Sequence, residues 1–227
     1  MLKDWCELPK WMQCPEVRVY YNILQKRRGS LLLKRMFDVA VSAVMLLLLS
    51  PVFLILGIWI KIDSRGPVFF RQERVTQYGR VFRIFKFRTM VNHADRMGSQ
   101  VTVGNDARIT KVGAKIRKVR LDEIPQLINV LLGDMSFVGT RPEVKKYVKA
   151  YSREMYATLL LPAGITSEAS IRYKDEDRLL SQAGDVDKVY VDKVLPGKMK
   201  YNLGAIRKFS VINELGTMIR TVWAVVG

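Results

Sequence analysis

From Val39 to Ile60 the chain reads VAVSAVMLLLLSPVFLILGIWI, 22 positions without a charge. A helix of that length matches a hydrocarbon layer of about 30 Å, so the chain is expected to meet a membrane. The run starts too far in, and lacks a small-residue cleavage site after it, for a removable secretory signal to be expected. Ser50-Pro51 divides it. Proline removes one backbone hydrogen bond and clashes with the preceding turn, leaving halves of 11 and 10 residues, each about 15 Å long and too short to cross alone. Basic residues flank both sides, Lys34 and Arg35 before, Lys61 and Arg65 after. The positive-inside rule therefore does not send the two ends to opposite faces. Both features favour a re-entrant hairpin dipping into one leaflet over a kinked span, with both ends on the cytoplasmic side. Ser50 is then free to hydrogen-bond where the helix breaks.

The rest of the chain is set by charge. In 227 residues, 38 Lys and Arg stand against 21 Asp and Glu, a formal +17, while 49% of residues are apolar. That excludes a disordered chain and points to one core-bearing domain with an anionic partner. From Lys61 to Arg120 there are 15 basic and four acidic residues, +11 of the +17. Cys6 and Cys14 fall in no metal-ligand spacing, and the single histidine, His93, rules out a multi-histidine zinc site. His93 reads as a solvated residue of a polar loop from Asn92 to Asp106. The organisation expected is an N-terminal extension over 1–30, a membrane hairpin over 31–62 and a cytoplasmic-face domain over 63–227. In the extension, Trp5, Trp11, Tyr20, Tyr21 and the run Lys26-Arg27-Arg28 suit a headgroup layer and equally a terminal tail.

Pro67 to Met90 reads as a β-hairpin turning at Thr76-Gln77-Tyr78-Gly79, with Phe85 and Phe87 on one face and Lys86 and Arg88 on a basic one. Ile109, Val112, Ile116 and Val119 then recur at helical spacing. In Leu121-Asp122-Glu123-Ile124-Pro125, Pro125 suits the first turn of a helix that Gly133 ends, which puts Asp122 and Glu123 at its start. There the free N–H groups favour anions, so both carboxylates should stay ionised unless buried. A capping Asp with an acid in the first turn is the commoner explanation for such a pair taken alone.

Four stretches, in order, carry a resemblance: Lys34-Arg35-Met36-Phe37-Asp38 leading into the Ser50-Pro51 run; Phe85-Lys86-Phe87-Arg88-Thr89-Met90; Leu121 to Val130; and Gly133 to Pro142. Over roughly residues 33 to 226 the chain resembles the bacterial sugar transferases, and within them the small monotopic phosphoglycosyl transferases. The resemblance implies transfer of a sugar 1-phosphate from a UDP-sugar to undecaprenyl phosphate, with release of UMP and with Mg²⁺. It implies Asp122 as the nucleophile that briefly holds the phosphosugar and Glu123 as its partner acid, both near the metal. It also implies Lys86, Arg117 and Arg141 as cations around the phosphates. A carboxylate attacking phosphorus splits one hard displacement into two, and an anion attacking an anion needs such charges around it. Two departures are visible. Gly139-Thr140-Arg141-Pro142 stands where many relatives have Gly-Pro-Arg-Pro, and Ser167-Glu168-Ala169-Ser170-Ile171 replaces a Gly-Trp type continuation. The sugar is left unassigned.

The fold expected is α+β and mainly helical, a monotopic protein with a re-entrant hairpin, a β-hairpin and amphipathic helices. Glu143–Leu161 and Tyr201–Val226 carry the helical stripes, and each could face the interface or the core. Three other functions compete. A bare-sugar glycosyltransferase is suggested by Asp175-Glu176-Asp177 and Asp185-Val186-Asp187, but no nucleotide-binding sheet accompanies them. A membrane-tethered nucleic-acid binder would use the charge, but no zinc, helix-turn-helix or RRM signature is present, and anionic lipid explains the charge, so no nucleic acid is expected. A scaffold would leave the acid pair without a task. Nothing in the sequence assigns an oligomeric state.

Overall fold

The computed structural model describes residues 2–92, 94, 106–174, 176 and 185–226. His93, most of the Asn92–Asp106 stretch, Asp175 and Asp177 lie outside them. The architecture is mainly helical with two two-stranded sheets. Helix α1 (Pro15–Gln25) leads into α2 (Arg28–Leu48) and α3 (Ser50–Asp63); strands β1 (Phe69–Val75) and β2 (Val81–Phe87) form the expected antiparallel hairpin. Then come α4 (Lys111–Lys118), α5 (Gln126–Leu132) and β3 (Met135–Val138). After α6 (Lys145–Val148), β4 (Ala163–Thr166) pairs parallel to β3, and α7 (Glu168–Arg172), α8 (Val186–Val189), α9 (Leu195–Arg207) and α10 (Val211–Val226) complete the chain.

Among the described residues no single helix is long and apolar enough to cross a membrane, whereas α2 and α3 together reach that length and composition, bent by 60° at Leu49-Ser50. The bend follows from proline chemistry. Pro51 has no N–H for the carbonyl of Leu47, and the Ser50 hydroxyl donates to that carbonyl instead, at 2.8 Å. The polarity of α2 is inverted relative to a helix of a water-soluble domain. Lys34, Asp38 and Ser42, spaced four apart, are buried, while Leu47 and Leu48 are 75% and 71% exposed.

That polar stripe fastens α2 to the body. Lys34 donates to the carbonyl of Val138 and pairs with Glu214 of α10, Arg35 donates to the carbonyls of Val130 and Leu131 at the end of α5, and Asp38 accepts the N–H of Phe137. The far end of the bent pair is held by Arg88. Expected on a basic face, Arg88 is instead 5% exposed and donates to the carbonyls of Ile60, in the last turn of α3, and of Ser64 and Arg65 just beyond it.

Three apolar clusters fill the body. One joins β2, α5 and β3 through Phe82, Ile84, Leu127, Val130 and Met135; a second joins α3, β2 and α4 through Ile60, Phe87 and Ile116. The largest takes in the N-terminal segment. Met12, Tyr20, Tyr21 and Leu24 pack with Leu160, Leu195 and Met199, so the two tyrosines sit in protein rather than at a headgroup layer. Glu143–Leu161 is not one helix. It breaks into α6 and a 3₁₀ segment, Met155–Leu160, and its stripe residues Tyr147, Tyr151 and Leu159 are buried in that cluster. Tyr201–Val226 likewise divides at Lys208-Phe209-Ser210. Leu203, Ile206 and Phe209 enter the core, and Ile212, Ile219, Val222 and Trp223 of α10 stay exposed.

Candidate active site

Asp122 and Glu123 occupy a single 3₁₀ turn, Leu121–Glu123, rather than the first turn of α5; Pro125 is the N-cap of that helix. Arg120 reverses the chain into the turn at φ +54°, and α5, seven residues long, stops at Gly133, φ +86°. The placement of the turn depends on a residue that the sequence reading did not single out. Asn129 of α5 is fully buried, accepts the N–H of Phe85 at 2.8 Å and donates to the carbonyl of Arg83 at 3.1 Å. It thereby clamps β2 against α5, which presents Lys86, the next residue along the strand, to the acid pair.

Lys86 and Arg141 both donate to one oxygen of Glu123, Oε1, at 2.7 and 2.9 Å. Burial pushes Glu123 up, but Arg141 and Lys86 outweigh it and hold this carboxyl well below the usual carboxylate range. Glu123 pushes Arg141 up in turn, whereas burial pulls Lys86 down. Asp122 differs. It belongs to no ion pair among the described residues, and burial raises its carboxyl above the ordinary aspartate value, Lys86 opposing and Glu123 adding to the rise. Adjacent carboxylates are thus driven in opposite directions, the pattern that separates acid–base roles in a shared site.

These groups line a cleft of about 400 Å³ with Arg117 of α4, Arg74 of β1 and, at its far wall, Glu143, Tyr147, Tyr190 and Lys198. Arg117 makes no ion pair among the described residues but faces the same cleft as Asp122. A second groove of about 520 Å³ shares Glu123, Arg141, Lys118 and Arg120 with the first and is otherwise largely apolar: Ile124, Leu127, Phe137, Ile165 and Ile171. It runs to Met45 and Leu49, beside the Ser50-Pro51 break, so Glu123 and the bent pair α2–α3 share one trough. Asp185 and Asp187 are spoken for elsewhere. The first caps α8 through the N–H of Lys188, and the second accepts from Lys146 and Tyr147.

Among the described residues no three His, Cys, Asp or Glu side chains converge as a cage for a metal. Two do. Both hydrogen bonds to Glu123 fall on Oε1, leaving Oε2 and the carboxylate of Asp122 as hard oxygen donors. That set fits Mg²⁺, which is commonly held by one or two carboxylates and completed by substrate phosphates and water.

Similarity runs along the same residues. The chain is 34% identical to the UDP-N-acetylgalactosamine-undecaprenyl-phosphate N-acetylgalactosaminephosphotransferase of Aeromonas hydrophila, over 88% of this chain and 47% of that protein. It is 35% identical to the UDP-glucose:undecaprenyl-phosphate glucose-1-phosphate transferase of Escherichia coli, over 85% and 40%. It is 36% identical to the undecaprenyl-phosphate galactose phosphotransferase of Salmonella typhimurium, over 66% and 34%. The chain spans less than half the length of each. The bacterial sugar transferase profile matches residues 29–227, from the second residue of α2 through the acid turn and beyond α10, and the chain belongs to that family.

Proposed function

We propose that this chain transfers a sugar 1-phosphate from a UDP-sugar to undecaprenyl phosphate through an aspartyl phosphosugar on Asp122, at the cytoplasmic face of a bacterial inner membrane. The observation that carries the proposal is the pair of unlike carboxylates in a cationic cleft that opens into an apolar trough. A carboxylate oxygen of Asp122 attacks the sugar-bearing phosphorus. The bond from that phosphorus to the oxygen bridging it to the nucleotide breaks, and UMP leaves with the electron pair. In the second half, an oxygen of undecaprenyl phosphate attacks the same phosphorus and Asp122 departs as carboxylate.

Burial destabilises the Asp122 anion, which supports its use as nucleophile. Glu123, tied to two cations, is a poor base as it stands. Phosphate oxygens competing for Lys86 and Arg141 would release it, and its proton affinity would then rise as the lipid phosphate arrives. Arg141 can meet phosphate through two parallel hydrogen bonds, and Arg117 adds charge to the same wall. Mg²⁺ belongs to the reading, with Asp122 and Glu123 Oε2 as the residues that would hold it. When bound, it supplies charge neutralisation to the diphosphate. The apolar groove toward Met45 and Leu49 suits a polyprenyl chain. The inverted polarity of α2 and the exposed apolar faces of α3 and α10 support a hairpin set into one leaflet with α10 at the interface.

The nucleotide released tests this reading. Detergent-solubilised protein given undecaprenyl phosphate and a panel of UDP-sugars should yield UMP with at least one of them. Release of UDP instead would mean transfer of a bare sugar. The acid limb of the single-turnover rate gives a further check. Asp122 is raised, so activity should fade as pH drops through a value above the ordinary ~3.9 of aspartate. Lys86→Met removes a cation that lowers Asp122 and should move that limb upward; a limb that stays put means that Asp122 does not titrate there.

A further inference from the structure

We infer that Arg74 is a diphosphate-binding residue of this site, an inference that rests on the donor being a UDP-sugar. Arg74 stands on β1, and side chains alternate along a strand, so Phe70, Gln72 and Arg74 share the sheet face on which Lys86 lies opposite Phe70. Behind Lys86 a third cleft, of about 310 Å³, meets the first. The residues common to the two are Arg74, Lys86, Arg117 and Asp122. Arg74 therefore sits at the junction where the proposed nucleophile stands.

Its own bonding is incomplete. The guanidinium donates to the side-chain oxygen of Gln72 at 2.6 Å and to the carbonyl of Pro142 at 3.3 Å, both neutral acceptors. Its Nε is sealed from solvent and has no hydrogen-bond partner. Arg74 enters no ion pair among the described residues. The carboxylate of Glu143 is close enough to favour its charge, but Glu143 Oε1 is taken by the Tyr190 hydroxyl at 2.5 Å. A guanidinium partly withdrawn from water without a counter-ion is costly unless an anion completes it.

Of the neighbouring cations, Lys86 and Arg141 share the single charge of Glu123, and Arg117, like Arg74, enters no ion pair among the described residues. Arg74 therefore adds positive charge, on a guanidinium whose buried Nε has no partner, at the point where Asp122 must approach a diphosphate. The planar fork of arginine suits phosphate oxygens. Arg88 also has an unpartnered Nε, but its guanidinium is saturated by three backbone carbonyls at the end of α3.

The test is UDP binding to the solubilised full chain, wild type against Arg74→Met and Arg74→Lys, with thermal midpoints measured alongside. Losing a charge-assisted contact should weaken UDP binding by about 10- to 100-fold in Arg74→Met and raise the KM for the donor in parallel, with the acceptor KM unchanged. Arg74→Lys should recover only part, because a point charge does not reproduce the fork. UDP affinity within about twofold of wild type in a folded Arg74→Met overturns the inference, as does a lowered midpoint with UDP affinity intact. Where the Met variant does not fold, unchanged UDP affinity in Arg74→Lys overturns it equally. Wild-type protein that neither binds UDP nor releases UMP refutes the functional reading itself, an outcome distinct from normal wild-type turnover with Arg74 variants that bind UDP unimpaired.

Discussion

Asp122→Asn should abolish turnover, by about 1,000-fold or more, without weakening the fold. The amide keeps the shape and removes the attacking anion, so no adduct should form with any donor. The stability half of the expectation follows from the direction in which Asp122 is shifted. Its carboxyl is raised in the folded chain, so protonation favours folding. The penalty for the ionised form is absent below the unfolded value, grows as pH rises from there through the folded one, and is complete above it. Asparagine does not carry it. The thermal midpoint of Asp122→Asn at pH 7 should therefore equal or exceed that of wild type, and the advantage should shrink on acidification. Turnover close to wild type in the variant defeats the covalent mechanism. A midpoint that falls with activity would mean that Asp122 is held by favourable contacts, contrary to the raised carboxyl.

What could be read beforehand was what neighbouring residues decide among themselves. The break at Ser50-Pro51 needs only the missing N–H of proline, and the stop at Gly133 needs only a residue at ease at positive φ. The hairpin turn at Thr76–Gly79 is local in the same way. Arg88 was misplaced because its two-residue spacing from Lys86 predicts a shared basic face, whereas its position is decided by the end of α3, more than 20 residues away in sequence. Glu143–Leu161 has the period of one amphipathic helix, yet its two pieces pack separately, α6 against β1 and Tyr190, and Met155–Leu160 against α1 and α9. Long-range packing overrode periodicity there. The acid pair was legible from its setting and its resemblance. That its two members would be driven apart was not, since Lys86 and Arg141 reach Glu123 from 37 and 18 residues away and neither pairs with Asp122.

Gly164→Ala should be among the most damaging conservative changes outside the Leu121–Glu123 turn. Strands β3 and β4 approach so closely at their ends that a Cβ on Gly164 would lie within 3.0 Å of the backbone N, O and Cα of Gly139. Backbone cannot swing aside as a side chain can. The strands must part, straining the bonds from the Gly139 N–H to the Thr166 carbonyl at 3.0 Å and from the Gly164 N–H to the Thr140 carbonyl at 2.9 Å. Forcing an extra methyl into such a contact destabilises by roughly 1–3 kcal/mol, or about 2–10 °C in midpoint for a chain of this size. Function should suffer beyond that loss, because Arg141 lies two residues after Gly139 and its 2.9 Å bond to Glu123 depends on where that backbone sits. Gly204→Ala in α9 is the matched control. Nothing lies within 4 Å of its added methyl, and alanine favours a helix interior over glycine by roughly 0.5–1 kcal/mol, so that variant should be as stable as wild type or more so. Gly164→Ala with a wild-type midpoint and turnover would show that β3 and β4 can separate without disturbing Arg141, and that the acid pair does not depend on their close approach.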